Sequence, residues 1–100
     1  MMSVKRMGDN HLIINIDKCK YLVSYDSIVA VVNDEGKLTL GRNWDLSNTT
    51  KRFLYAFLEM DAYKWLNRET QNSLVFGYKM KKSIDKAIED GIIKYDVNLY

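Results

Sequence analysis

The sequence predicts an α+β fold: an N-terminal four-stranded antiparallel meander with a long helix and a shorter C-terminal helix packed on one face. Three observations carry that reading. Residues 11–41 are short β-branched and aromatic runs separated by turn signals. From Thr50 onward apolar residues recur at helical spacing. Lys81 to Gly91 repeat that spacing and end on a glycine, where a helix commonly stops.

The elements run in chain order. Residues 1–10 read as a flexible arm. "HLIINI" (His11–Ile16) and "KYLVSY" (Lys20–Tyr25) read as strands joined by the short turn Asp17–Cys19. "SIVAVV" (Ser27–Val32) is a continuous apolar run, as expected of a central strand buried on both faces. "NDEGK" is a turn, with Gly36 free to take positive φ. In "KLTLG" (Lys37–Gly41), Leu38 and Leu40 share one face and Thr39 takes the other. Ser47, Asn48 and Thr49 are competent N-caps, because a short side-chain oxygen can accept from an exposed backbone N–H. Phe53, Leu54, Phe57, Leu58, Ala62, Trp65 and Leu66 then trace one stripe, which predicts a helix over residues 50–68, with a break near Met60–Ala62 because Asp61 falls beside the stripe. Polar "NRETQNS" reads as a loop, and "LVFGYKM" fits a short strand or an irregular segment. Residues 81–91 form the second helix, and "IIKYDV" can return as a last strand.

One hundred residues make one domain. Net charge is +2 and evenly spread: 6 basic and 6 acidic groups lie in residues 1–50, and 9 and 7 in residues 51–100. This argues against a DNA mimic, which needs a strong acidic excess, and permits a nucleic-acid partner without requiring one. A single cysteine, Cys19, allows no internal disulfide, and with a single histidine it leaves too few ligands for a tetrahedral zinc site. No run approaches a membrane span, and "MMSVKRMGDN" lacks the apolar region of a secretory signal. The expectation is a cytoplasmic protein with no cofactor.

No catalytic constellation stands out. The acidic residues of the first half sit at turns and strand ends, and Glu59 and Asp61 point to different sides of a helix. A Ser–His–Asp arrangement would need His11, which reads as a solvent-exposed or cross-strand residue. The five glycines are scattered singly, unlike a phosphate-binding loop. The protein is expected not to be an enzyme.

The candidate contact residues are basic and aromatic: Arg42, Trp44, Lys51, Arg52, Tyr55, Tyr78, Lys79, Lys81 and Lys82. Cations neutralise phosphates and exposed rings stack on unpaired bases. Tyr and Trp also anchor protein interfaces. The same residues can equally form a solvated face, and Trp44 can simply plug the corner between sheet and helix.

The run "YLVSYDSIVAVV…GKLTLG…WDLSNTTKRFLYAFL" resembles a set of small uncharacterised proteins, a domain of unknown function, from bacteriophages and other mobile elements of low-GC Gram-positive bacteria. The positions that carry the likeness are Ser24, Tyr25, Ser27, Val29, Ala30, Trp44, Ser47, Thr49, Thr50, Phe57 and Leu58. Phe53 departs from it, since many members have histidine there. The resemblance implies a phage setting and no particular activity. Three functional expectations stand side by side. The first is a non-catalytic phage accessory protein that binds a host protein or nucleoprotein complex, in its sharpest version an anti-CRISPR-like inhibitor of a defence nuclease. The second is a nucleic-acid-binding regulator using Arg42, Lys51, Arg52 and the lysines of residues 79–86. The third is a binder of a small molecule at a dimer seam. A homodimer would cover the second face of "SIVAVV".

Overall fold

The computed structural model describes residues 2–99. Six strands form one sheet in chain order: β1 Met2–Gly8, β2 His11–Ile16, β3 Cys19–Ser24, β4 Ser27–Val32, β5 Leu38–Gly41 and β6 Lys94–Asp96. β1 to β5 pair antiparallel, and β6 returns parallel to β5 after the helical layer. The mixed α+β architecture is as expected, but the sheet has six strands rather than four.

The added first strand replaces the expected arm; residue 1 lies outside the described residues. Met2, Val4 and Arg6 pair with Ile16, Ile14 and Leu12 on one face of the sheet. On the other face Lys5 reaches Asp61, 3.2 Å away, in the helical layer. A weak strand former is thus held by its neighbour and by one ion pair, neither of which local propensity reports.

The next two connections are two-residue turns with both central residues left-handed. Asp17 and Lys18 have φ of 50° and 70°, and Tyr25 and Asp26 have 49° and 67°. Such turns match the right-handed twist of the flanking strands. In β4 the register shifts: Leu22 pairs with Ala30 but Val23 with Ile28, which leaves Val29 as a bulge residue. The bulge lets consecutive Val29 and Ala30 both enter the core. Burial of β4 on both faces does not occur: Ile28 and Val31, on the opposite face, are only half-buried.

The long helical run begins as α1 (Asn48–Ala56), widens into a π-helical turn at Phe57–Ala62 and closes as a 3₁₀ turn at Tyr63–Trp65. The widened turn falls where Asp61 interrupted the apolar stripe. It keeps Phe57, Leu58 and Ala62 all buried while Asp61 meets Lys5. Residues 68–73, expected as loop, form the short helix α2 (Arg68–Ser73), because the Asn67 side chain accepts from the Thr70 N–H at 2.8 Å and Thr70 is fully buried. Residues 74–79 are irregular. α3 spans Met80–Glu89 and ends at Gly91 (φ 78°), where the N–H of Ile92 donates to Ala87 and that of Gly91 to Ile88.

The core lies between one face of the sheet and the helices. Ile13, Leu22, Ala30, Val32, Leu38 and Leu40 meet Leu54, Phe57, Leu58, Ile84 and Met80, all essentially inaccessible. Among the described residues no helix packs on the other sheet face. There the register aligns Val4, Ile14, Tyr21, Val31 and Thr39 in a row across five strands. A parallel row holds Arg6, Leu12, Val23 and Ile28. All nine are exposed or half-buried.

Two substitutions test this architecture. A Cβ on Gly36 (φ 77°) would lie 2.5 Å from the Asn67 nitrogen and 2.7 Å from the Trp65 oxygen. Gly36→Ala is expected to cost about 3 kcal/mol, lowering the melting temperature by roughly 12–24 °C in a scanning-calorimetry comparison. Lys18→Gly relieves a left-handed lysine in the β2–β3 turn and is expected to raise stability by about 0.5–1 kcal/mol in urea titrations.

Candidate partner-binding site

Ser47 opens α1: its hydroxyl oxygen accepts from the Thr50 N–H at 3.1 Å, and its own hydroxyl donates to the Thr50 Oγ1. This is the sheet-to-helix junction expected from "WDLSNTT". Trp44 fills its corner at 3% exposure, so its ring packs in the core and lies outside any surface. One polar group still reaches it: the Lys81 ammonium sits 5.6 Å from the ring centroid. Lys81 is held there by Asp85 at 2.9 Å. Tyr55 stands beside this pair. Its phenol is raised above the ordinary tyrosine value, chiefly by burial. The Lys81 amine is raised too, chiefly by its hydrogen bond to Asp85.

Around this anchor the predicted residues fall into two groups. Lys51, Arg52 and Tyr55 of α1 line a groove of about 470 Å³ with Glu59, Met60 and Gly77. Tyr78, next to that glycine, is 91% exposed, with the Lys79 ammonium 5.7 Å from its ring centroid. On the far flank of α3, Lys79, Lys82 and Lys86 border a second groove of about 300 Å³, floored by Val75 and Ala87 and edged by Ser73 and Ser83. Arg42 is exposed just beyond β5 and lines neither groove.

Sequence reasoning selects Lys86 with the other α3 lysines for the nucleic-acid reading, and it does not select Leu46 or Met60 for the surface. Lys86 completes an i, i+3, i+7 stripe with Lys79 and Lys82, a spacing visible in the sequence. Met60, 80% exposed, is detectable only as an exception to the helical stripe, and Leu46, 72% exposed, lies in the turn before α1 where no periodicity marks it.

Of the two expectations for His11, the cross-strand placement holds, since His11 pairs with Ser24, and solvent exposure does not. It is buried, stacked on Phe53 at 3.8 Å between centroids and edge-on to Tyr25 at 5.3 Å. Its Nδ1 lies 2.7 Å from the Asp9 carbonyl oxygen. A carbonyl only accepts, so the proton resides on Nδ1. The Phe53 ring also lies against Gly8, where a Cβ would come within 2.9 Å of it. His11 is therefore a packing residue at one end of the sheet. Among the described residues no group of three or more His, Cys, Asp or Glu side chains could hold a metal ion, and no helix is long and apolar enough to cross a membrane.

In comparison with known proteins, the model of the Family of unknown function (DUF8033) matches residues 2–73. The chain belongs to that family. No curated protein and no solved structure matches. The DUF8033 match takes in β1 to β5, the junction, α1 and α2, and stops before α3. The first groove is thus built mainly from residues within the family region, and the lysine stripe of α3 lies outside it.

The raised Tyr55 and Lys81 values have one consequence for stability. In the folded protein both groups hold their protons more tightly than in the unfolded chain. The stabilisation is complete below the unfolded values and is lost as pH rises through the folded ones, above about pH 10. Melting temperatures measured from pH 8 to 11 are expected to fall over that upper range, and the fall is expected to shrink in Tyr55→Phe.

Proposed function

We propose that this DUF8033 protein is a small accessory protein of a phage or mobile element that acts by binding a host protein or nucleoprotein complex, without catalysis of its own. In its sharpest form the proposal is an anti-CRISPR-like inhibitor of a host defence nuclease. The observation that supports it best is Tyr78, an almost fully exposed aromatic between two cation-walled grooves. Large exposed rings and arginine are the residues that most often anchor protein interfaces. Cations around such an anchor favour an acidic surface or a nucleoprotein, and they speed encounter with it. The resemblance to phage and mobile-element proteins supplies the setting.

A tagged-protein pull-down from host lysate, with and without nuclease treatment, tests this. A stoichiometric protein partner that survives nuclease is the expected result. Tyr78→Ala combined with Arg52→Ala is expected to lower its recovery at least tenfold. Absence of any specific partner would sink the proposal.

A second reading rests on the α3 stripe. Lys79, Lys82 and Lys86 span about 10 Å along one helix flank, a spacing suited to a nucleic-acid backbone. If they bind it, affinity falls with salt at a slope of about −2 to −3 on log–log axes. The triple alanine variant flattens that slope. Binding that is absent, or independent of salt, removes this reading.

A further inference from the structure

We propose that the open face of the sheet is a self-association surface, through which two copies pack face to face as an isologous dimer. The starting observation is one of register. The central row, Val4, Ile14, Tyr21, Val31 and Thr39, crosses five strands without a charge before it ends on Lys94 of β6. The rows beside it add Leu12, Val23 and Ile28 at one end of the strands and Met2, Ile16 and Cys19 at the other. At its strand-edge corner Met2 and Val4 are 63% and 54% exposed. In a solvated antiparallel sheet this face would alternate to polar residues. Here both faces of β2 and β4 are apolar, and helices cover just one.

The size of the face suits a modest dimer. Five strands, each taking about 4.8 Å, and three rows, each taking about 6.7 Å, give a footprint of roughly 24 by 20 Å, before side-chain relief is added. The chain's accessible surface is 6354 Å². A monomer of this mass ordinarily exposes about 5,900 Å². A pair joined through this face would bury on the order of 1,000 Å², the low end of specific interfaces, so dissociation in the micromolar range is expected.

The charges at the rim favour a second copy over a foreign partner. The row through Arg6, Leu12, Val23 and Ile28 runs toward Gly41, whose Cβ position lies 2.6 Å from both the Ile28 and the Leu99 carbonyl oxygens, so that Leu99 borders this end of the row, and Gly41 pairs with Asp96 on β6. One row therefore begins with a cation at the β1 edge and ends with an anion at the β6 edge. A two-fold axis parallel to the strands lays the β1 side of one copy over the β5–β6 side of the other. Arg6 of each copy then faces the partner's Asp96, the uncharged β2–β5 parts of the central rows meet each other, and Lys94, which ends the central row on β6, lies at the rim beside the partner's β1 edge. An isologous contact demands this self-complementarity. Both helical layers stay outward, so a dimer presents two copies of the binding surface proposed above.

Sedimentation velocity of the full chain from about 1 to 200 µM decides the matter. A monomer–dimer equilibrium is expected, with Val4→Glu and Ile14→Lys each raising the dissociation constant at least tenfold. Val4 is already exposed in the single chain, so its variant keeps the fold, checked by circular dichroism, if Ile14→Lys does not. Arg6→Asp and Asp96→Arg are each expected to weaken the dimer, and the double variant to recover it. A wild-type chain monomeric at 200 µM overturns the proposal. So does a dimer insensitive to Val4→Glu, or a face covered only after a host protein is added.

Discussion

The meeting of Gly36 with Asn67 is the contact on which the arrangement of layers depends. The turn between β4 and β5 and the end of the long helical run approach backbone to backbone, with no side chain between them. The Asn67 N–H donates to the Gly36 carbonyl at 2.9 Å, and the Gly36 N–H donates to Asn33. The same asparagine turns its side chain the other way to cap α2. One residue thus ties the sheet to the first helical run and starts the next helix. α2 in turn fixes Ser73 and the irregular segment leading to Tyr78. The exposed ring is a long way from the sheet along the chain, yet its placement goes back to this single close approach.

The second organising fact is one-sided burial. A chain of 100 residues has enough helix to cover one face of a six-stranded sheet and not two. The core accordingly gathers on one side, where the bulge at Val29 adds an extra apolar residue. Cations are spread over the helical layer, and the uncovered sheet face is nearly free of them apart from its rim. The molecule therefore has two chemically distinct surfaces: one basic and aromatic, the other flat and apolar.

Much of this is legible in the sequence, for identifiable reasons. β2 to β5 are readable because their β-branched runs are bounded by turns. α3 is readable because stripe and terminal glycine agree. The Ser47 cap comes from side-chain chemistry alone. β1 is not legible, because "MSVKRMG" has little strand propensity and is held by pairing with β2 and by Lys5 with Asp61. α2 escapes notice because six polar residues carry no apolar stripe; only the burial of Thr70 and the Asn67 cap sustain it. Within the candidate site, Lys51, Arg52 and Tyr55 are recognisable as neighbours, since helical spacing places them together. That Trp44 is buried while Tyr78 stands clear cannot be decided from residue type, because both are amphipathic rings and the difference is made by tertiary packing.

The π-helical turn at Phe57–Ala62 has a meaning beyond packing. It accommodates one residue more than an α-helix of the same length would, and everything after it is rotated by about a quarter-turn relative to an unbroken helix. Helices can absorb a single-residue insertion in this way without unravelling. Chains of the same family that differ by one residue in this segment would then share the fold while changing the phase of the downstream residues. A one-residue gap there, in comparing this chain with its relatives, would mark a change in which side chains look inward, with no loss of the helix itself.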